Sequence, residues 1–274
     1  MELVVTGSWT PDNRRAVLAG EVDKLVLNYA LGFNESRLDF LHGLPLRELV
    51  LLDPRVRDLA PIHSLGGTLR SLSVSCDPSL GIDLRQLSKL ESLAAAWPQV
   101  SHTVGAVPHL ETTYLRAYDN PDLTPLSDLR RLKTLVMKDR PKLKSLVGLR
   151  HLSMLTTLEV YGATQLTDIQ ELIGSEALER LVLEGCSRIG NIAAVASCGR
   201  LRYLNLSDCK DIDSLLPVVH LAQLEVLHLF GTTRVHDNDL GPLVSLPRLQ
   251  ELRMQSRRSY RPSVEAIQAS LPRT

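Results

Sequence analysis

The chain has 274 residues, of which 44% are hydrophobic and 4% aromatic, and its 31 acidic and 31 basic residues balance. With no net charge there is no global field to draw nucleic acid or an anionic membrane, and both are set aside as general partners. Four cysteines without a CxxC pair do not read as a secreted disulfide framework.

The first residues, MELVVTGSWTPDNRR, lack a basic start followed by a long apolar run, and no apolar stretch is long enough to span a membrane. A soluble, cytoplasmic protein is expected. Residues 2–5 read as a short strand. Thr10 is placed as an N-cap with Pro11 at the first helical position, and Gly20 stops that helix. Residues 1–21 are expected to form an N-terminal cap, with Trp9 packed in it.

From Val22 a frame restarts at Leu46, Leu69, Leu90, Leu110, Leu132, Leu155, Leu178, Leu201, Leu224 and Leu249, at spacings of 20 to 25 residues. The residue three places on is Leu in ten of these eleven units, Thr113 being the exception. Five places on stand Leu27, Leu51, Val74, Ala95, Leu115, Met137, Val160, Leu183, Leu206, Leu229 and Met254. The clearest copies run without insertion over residues 155–224, each offset by 23. A period in the twenties with an LxxLxL core is the signature of a solenoid, which grows by adding turns.

The pattern resembles leucine-rich repeats, and the segments LRELVLLDPRVRDLAPIHSL and LRYLNLSDCKDIDSLLPVVHL carry the likeness. The period, with a DLxPL-like second half, looks like the internalin and phosphatase-regulator type. Cys186 and Cys209 stand where many such repeats place Asn or Cys, and Cys198 is similar to a position of the cysteine-containing subtype. The resemblance covers about residues 22–256 and implies an α/β leucine-rich-repeat solenoid. Its expected form is a curved horseshoe with a concave parallel β-sheet, about eleven repeats and terminal caps. Elsewhere the Asn position holds Pro54, Asp77, Pro98, Tyr118, Arg140, Ala163 and Thr232, so a regular Asn ladder is not expected. The short units at Leu69, Leu90 and Leu110 leave room only for irregular or 3-10 turns, whereas residues 189–197 are expected to form a helix.

After a strand near residues 250–254 comes a loop with Arg257, Arg258, Tyr260 and Arg261, read as a solvated cap loop. Residues 263–271 read as a helix with Val264, Ile267 and Leu271 on one face. Residues 257–274 would thus close the stack, and with both ends capped a complete small protein is expected.

Side chains alternate along a strand, so the residues between the leucines face the concave side. One column reads Val26, Val50, Ser73, Ala94, Tyr114, Val136, Glu159, Val182, Asn205, His228 and Arg253. Its neighbour reads Asn28, Leu52, Ser75, Ala96, Arg116, Lys138, Tyr161, Glu184, Ser207, Phe230 and Gln255. Exposed aromatics beside Arg are what binding hot spots are made of. Trp97, Tyr114, Arg116, Lys138, Tyr161 and Glu184 are therefore the candidate partner-binding patch, with Tyr118 at its edge and Phe230 further along. Two alternatives stand beside this: Trp97 folds inward where Ala95 and Ala96 leave space, or the patch is ordinary surface. Val26, Val50 and Leu52 form an apolar area that is either a second contact surface or covered by the loop at residues 31–37.

The search for chemistry finds no catalytic or metal-binding set. Glu159 and Glu184 lie in adjacent columns, as a carboxylate pair would, but solvated charges facing a partner fit an open sheet better. His236, Asp237 and Asp239 lie in a loop and read as solvated, and Cys186 and Cys209 as buried thiols rather than a disulfide. The expected function is non-enzymatic binding of a protein partner, by a monomer without cofactor. Alternatives are a sensor, regulatory or immunity-type inhibitor subunit of a larger defence or signalling complex and, from another class, a hydrolase.

Overall fold

A computed structural model describes residues 1–272; Arg273 and Thr274, the end of the expected C-terminal cap, lie outside the described residues. The chain divides into two units, Met1–Arg116 and Ala117–Thr274.

The first unit is a parallel sheet laid down in chain order: β1 (Glu2–Val5), β2 (Lys24–Asn28), β3 (Glu48–Leu52), β4 (Ser71–Ser75), β5 (Ser92–Ala96) and β6 (Thr112–Arg116). Leu3, Leu25, Leu49, Leu72, Leu93 and Thr113 stand side by side across it, so the repeat frame is the pairing register. Leu25, Leu49, Leu72 and Leu93 are buried, each contributing roughly 2 kcal/mol by leaving water. Thr113 fills the same slot in β6 with a hydroxyl that is buried and has no hydrogen-bond partner.

Helix α1 (Pro11–Leu18) joins β1 to β2. Thr10 Oγ1 accepts from the Asn13 backbone at 3.2 Å while Asn13 Oδ1 accepts from the Thr10 backbone at 3.0 Å, so two free donors are satisfied at once. Trp9 stacks on Phe40 at 4.6 Å, and Arg14 ties α1 to the carbonyls of Phe40 and His42. The returns between β2 and β6 are short. They are 3-10 turns at Tyr29–Leu31, Asp39–Leu41, Ala60–Leu65, Leu84–Gln86 and Val104–Ala106, plus one α-turn, α2 (Trp97–Val100). A period of 20 to 25 residues that includes a five-residue strand leaves no length for more.

The second unit repeats the plan with β7 (Thr134–Lys138), β8 (Thr157–Tyr161), β9 (Arg180–Glu184), β10 (Tyr203–Asn205), β12 (Val226–Leu229) and β14 (Glu251–Met254); β11 (Asp211–Ile212) and β13 (Arg234–Val235) form a separate parallel pair. Leu135, Leu158, Leu181, Leu204, Leu227 and Leu252 are aligned in successive strands. The expected helix over residues 189–197 is instead a 3-10 turn, Ala193–Ser197. Even this longer second half holds one tight turn only, because the chain must still reach β10.

Cys186 Sγ donates to the Val160 carbonyl and Cys209 Sγ to that of Leu183, each reaching the preceding rung. The next rung uses Thr233, not the aligned Thr232. Its Oγ1 donates to the Leu206 carbonyl at 2.7 Å and accepts from the Cys209 backbone at 3.0 Å. Cys186 and Cys209 are thus the buried thiols expected at the ladder position, and the Thr233 hydroxyl extends their short ladder by one rung.

At the end, α3 (Gly241–Val244) precedes β14, and α4 (Val264–Ser270) follows it. Ser263 Oγ caps α4 by accepting from Ala266, and Val264 and Ile267 are buried. Tyr260 is buried as well, its hydroxyl accepting from the Val235 backbone, so the basic loop carries an anchor.

Candidate functional site

The open face of each sheet carries the side chains between the buried leucines. Two of the eight candidate residues are not on it. Trp97 is 2% exposed: it opens α2 and turns inward, where Ala95 leaves volume that Leu51, Val74 and Leu115 fill on neighbouring rungs. Gln99 locks that turn, its Oε1 accepting from the Ala96 backbone and its Nε2 donating to the Asp77 carbonyl. Tyr118 is wholly buried at the position that Ala163, Cys186 and Cys209 occupy on later rungs. Its hydroxyl donates to the Asp122 carbonyl at 2.6 Å, and burial pushes its pKa up.

In the first unit Tyr114 and Arg116 do lie on the open face of β6, both half-buried. Arg116 reaches back over β5 to β4, where Nη1 donates to Ser75 Oγ at 3.1 Å and Nη2 to the Val74 carbonyl at 3.0 Å. Ala94 and Ala96 on β5 are small enough to let it pass.

In the second unit Lys138, Tyr161, Glu184 and Phe230 are on the open face, and two of them, Lys138 and Tyr161, join a network that crosses the sheet. Lys138 Nζ lies 4.8 Å from the centre of the Tyr161 ring. Tyr161 donates its hydroxyl proton to Glu159 Oε2 at 2.8 Å, and Arg180 Nε donates to Glu159 Oε1 at 2.6 Å. The Arg180 guanidinium covers the Tyr203 ring at 3.7 Å. Tyr203 and His228 meet at 3.0 Å through the hydroxyl and Nδ1, and His228 Nε2 lies 2.9 Å from Glu251 Oε1. The Glu251 carboxylate only accepts, so Nε2 carries the proton and, in the neutral ring, Nδ1 accepts from Tyr203. Arg253 Nε completes the chain on Glu251.

Glu184 accepts from Asn205 Nδ2 at 2.9 Å, and Asn205 Oδ1 accepts from the Ser207 backbone. Phe230 is 58% exposed, its backbone fixed by donation to Ser207 Oγ.

The charges in this network are matched locally. The hydrogen bond from His228 holds the Glu251 carboxyl below the usual range, with Arg253 adding to it. Burial and then the Glu159 carboxylate push the Tyr161 phenol up, so it is a donor at every ordinary pH. Both Glu159 oxygens are engaged, by Tyr161 and Arg180, and Glu184 Oε2 accepts from Asn205.

Arg180, Tyr203 and Glu251 were missed from sequence. They occupy a third outward column, two residues into each unit, which the alternation rule also exposes but which the two-column reading left out.

The four cysteines Cys76, Cys186, Cys198 and Cys209 are free and buried. Burial pushes the Cys186 thiol up to about 12 and the Cys198 thiol to about 11. Among the described residues no three of His, Cys, Asp or Glu come together to hold a metal. Asp237 and Asp239 cap turns, accepting from the backbones of Asp239 and Gly241. Among the described residues no helix is long and apolar enough to cross a membrane.

No protein-family model matches the chain, and no curated protein matches it by sequence. Solved structures do. An internalin C2 of Listeria monocytogenes aligns over 65% of this chain and 79% of its own, with a TM-score of 0.51 and 23% identity. A leucine-rich-repeat protein of Leptospira interrogans aligns over 93% of this chain and 76% of its own, at a TM-score of 0.59 and 16% identity. The mouse RP105/MD-1 complex supplies a chain matching 92% of this one over 45% of its own length, at a TM-score of 0.59 and 20% identity. At such identities the likeness is one of fold. Together with the in-register leucine columns of both units, it shows that this chain has a leucine-rich-repeat solenoid fold.

Proposed function

We propose that the protein is a non-enzymatic recognition module that binds a protein partner on the open face of its sheet, as a cytoplasmic monomer without cofactor. The observation that carries this reading is the network from Lys138 through Tyr161, Glu159, Arg180, Tyr203 and His228 to Glu251, with Phe230 projecting beside it. Each polar member is oriented by a neighbour before any partner arrives, so little rotamer freedom is left to lose on docking. Aromatic rings and guanidinium groups are the side chains that dominate binding energy at interfaces. The mouse neighbour, whose solved form is the RP105/MD-1 complex, supports use of the fold in a complex.

The test is affinity capture from the native host with identification by mass spectrometry, followed by calorimetry on the purified pair. Tyr161→Ala combined with Phe230→Ala is expected to weaken binding by about tenfold or more, the loss typical of a hot spot. The circular dichroism spectrum should be unchanged. Unaltered affinity in a folded double variant would remove this face from the function, and steady turnover of a hydrolase substrate that Glu159→Gln abolishes would overturn the non-enzymatic reading.

A further inference from the structure

We propose a second recognition site in the first unit, where Arg116 takes the carboxylate of an Asp or Glu side chain and an adjoining cavity takes the apolar residue next to it in a partner's extended segment. The inference rests on the protein-recognition reading and gives it a specific ligand chemistry at a separate place.

Arg116 is a half-buried cation held by neutral partners. Its two hydrogen bonds go to a hydroxyl and a carbonyl, Ser75 Oγ and Val74 O, across two strands from its own. Among the described residues no carboxylate lies within ion-pair distance of it. The carboxylates directly after β3 and near the end of β4 have other partners. Asp53 is paired with Arg55 at 2.7 Å, and Asp77 Oδ1 accepts from the backbone and the hydroxyl of Ser79 at 2.9 and 2.8 Å. A guanidinium has five N–H donors in a planar fork, so with two engaged, Nε and one hydrogen on each Nη remain. Ser75 and Val74 fix the plane of the fork in advance, which favours a two-pronged carboxylate over a point contact.

Ser75 also lines a cavity of about 440 Å³ whose other walls include Tyr29, Leu52, Pro54, Asp77 and Pro78. Tyr29 is 48% exposed, while Leu52 stands outward from β3. An apolar hollow thus opens within one side-chain length of a cation whose charge is unmatched.

The chemistry points to one carboxylate beside one apolar group. A nucleic-acid backbone needs a run of cations, and here a single guanidinium stands beside the cavity. Tyr29 and the two prolines are rigid, so they cost little entropy on ordering.

The experiment selects a random heptapeptide phage library on the intact protein. Enriched sequences are synthesised with acetylated and amidated ends, so that a terminal carboxylate plays no part, and titrated by calorimetry. Enriched peptides are expected to carry Asp or Glu beside Leu, Met, Phe or Trp. Arg116→Gln should weaken them by about tenfold or more, the range for losing a charge-assisted pair. Arg116→Lys, which keeps the charge but not the fork, should weaken them less. Tyr29→Ala, remote from the Arg116 bonds, should also weaken them, and it carries the test should Arg116→Gln fail to fold. The proposal is overturned if no peptide is enriched, if those enriched lack an acidic residue, or if folded Arg116→Gln and Tyr29→Ala bind them as the parent does. It is also overturned if a single-stranded RNA oligonucleotide, and not peptide, binds in an Arg116-dependent way. A natural partner that loses affinity with Tyr161→Ala and Phe230→Ala but binds no acidic–apolar peptide here would remove this site and leave the function proposed above intact.

Discussion

A side chain that follows a parallel strand is carried inward or outward by the backbone of the turn, and for a large ring the difference is several kcal/mol of burial, about 1.5–3 for a Phe-sized group. Ala117 has φ of 53°, and the residue after it, Tyr118, enters the core with its hydroxyl satisfied by Asp122. Trp97 enters by a different route, at the first position of a one-turn helix beside Ala95 and Ala96. Neither ring is available to a partner. Thr113 shows the opposite economy, since its hydroxyl occupies a leucine slot with no acceptor or donor in reach. Replacing it by the equally sized Val removes an unsatisfied polar group, so Thr113→Val is expected to raise stability by about 1 kcal/mol. Urea unfolding checks this, and a lower midpoint in the variant would show that the hydroxyl is bonded after all. This residue was legible in the sequence as the one break in the leucine column.

At the scale of elements, the repeat length decides what the return side can be. A strand, two turns and a crossing of the core consume the period, and the remainder closes as 3-10 turns, at Ala193–Ser197 as much as on the short rungs. Successive returns pack backbone to backbone in places. Gly148 has φ of +100°, and a Cβ there would lie 2.7 Å from the Leu123 carbonyl carbon and the Thr124 nitrogen. The clash is with main chain, which cannot swing aside. Gly148→Ala is expected to destabilise by about 2 kcal/mol or more, above the roughly 1 kcal/mol of a left-handed alanine alone. Gly199, with open space around its position, serves as the control. Thermal unfolding of the two alanine variants checks it, and equal midpoints would refute the close approach. The glycine was visible in the sequence; its neighbour on the preceding rung was not.

Across the whole chain, the cores hold small polar groups whose ionisation is suppressed. The Cys186 and Cys198 thiols sit at about 12 and about 11 through burial, against an ordinary 9.0, and burial also raises Tyr118. A folded-state pKa above the unfolded value means that the native state keeps protons the unfolded chain releases. The stability so gained is full below pH 9.0 and falls as pH rises through about 11 and 12. The urea midpoint is therefore expected to drop between about pH 8 and about pH 10.5, and to drop less in Cys186→Ala. A midpoint constant over that range would contradict the burial of these thiols. The open face behaves differently, because its charges are matched by neighbours rather than hidden.

The sequence by itself determined the fold and its register. Leucine at every third and fifth place of a period in the twenties admits one parallel stacking, because a slip of one residue would turn every leucine to water. It also determined the helix capped by Thr10 and the one that closes the chain near residues 263–271, where the signals are local. Alternation placed Tyr114, Arg116, Lys138, Tyr161, Glu184 and Phe230 on the open face. Only the tertiary structure decided that Trp97 and Tyr118 go inward, that Thr233 replaces Thr232 in the ladder, and that Arg180 bridges Glu159 and Tyr203. Each of those depends on turn angles, or on the space left by side chains one rung away in the fold and some twenty residues away in the chain. A repeat period carries no information about either.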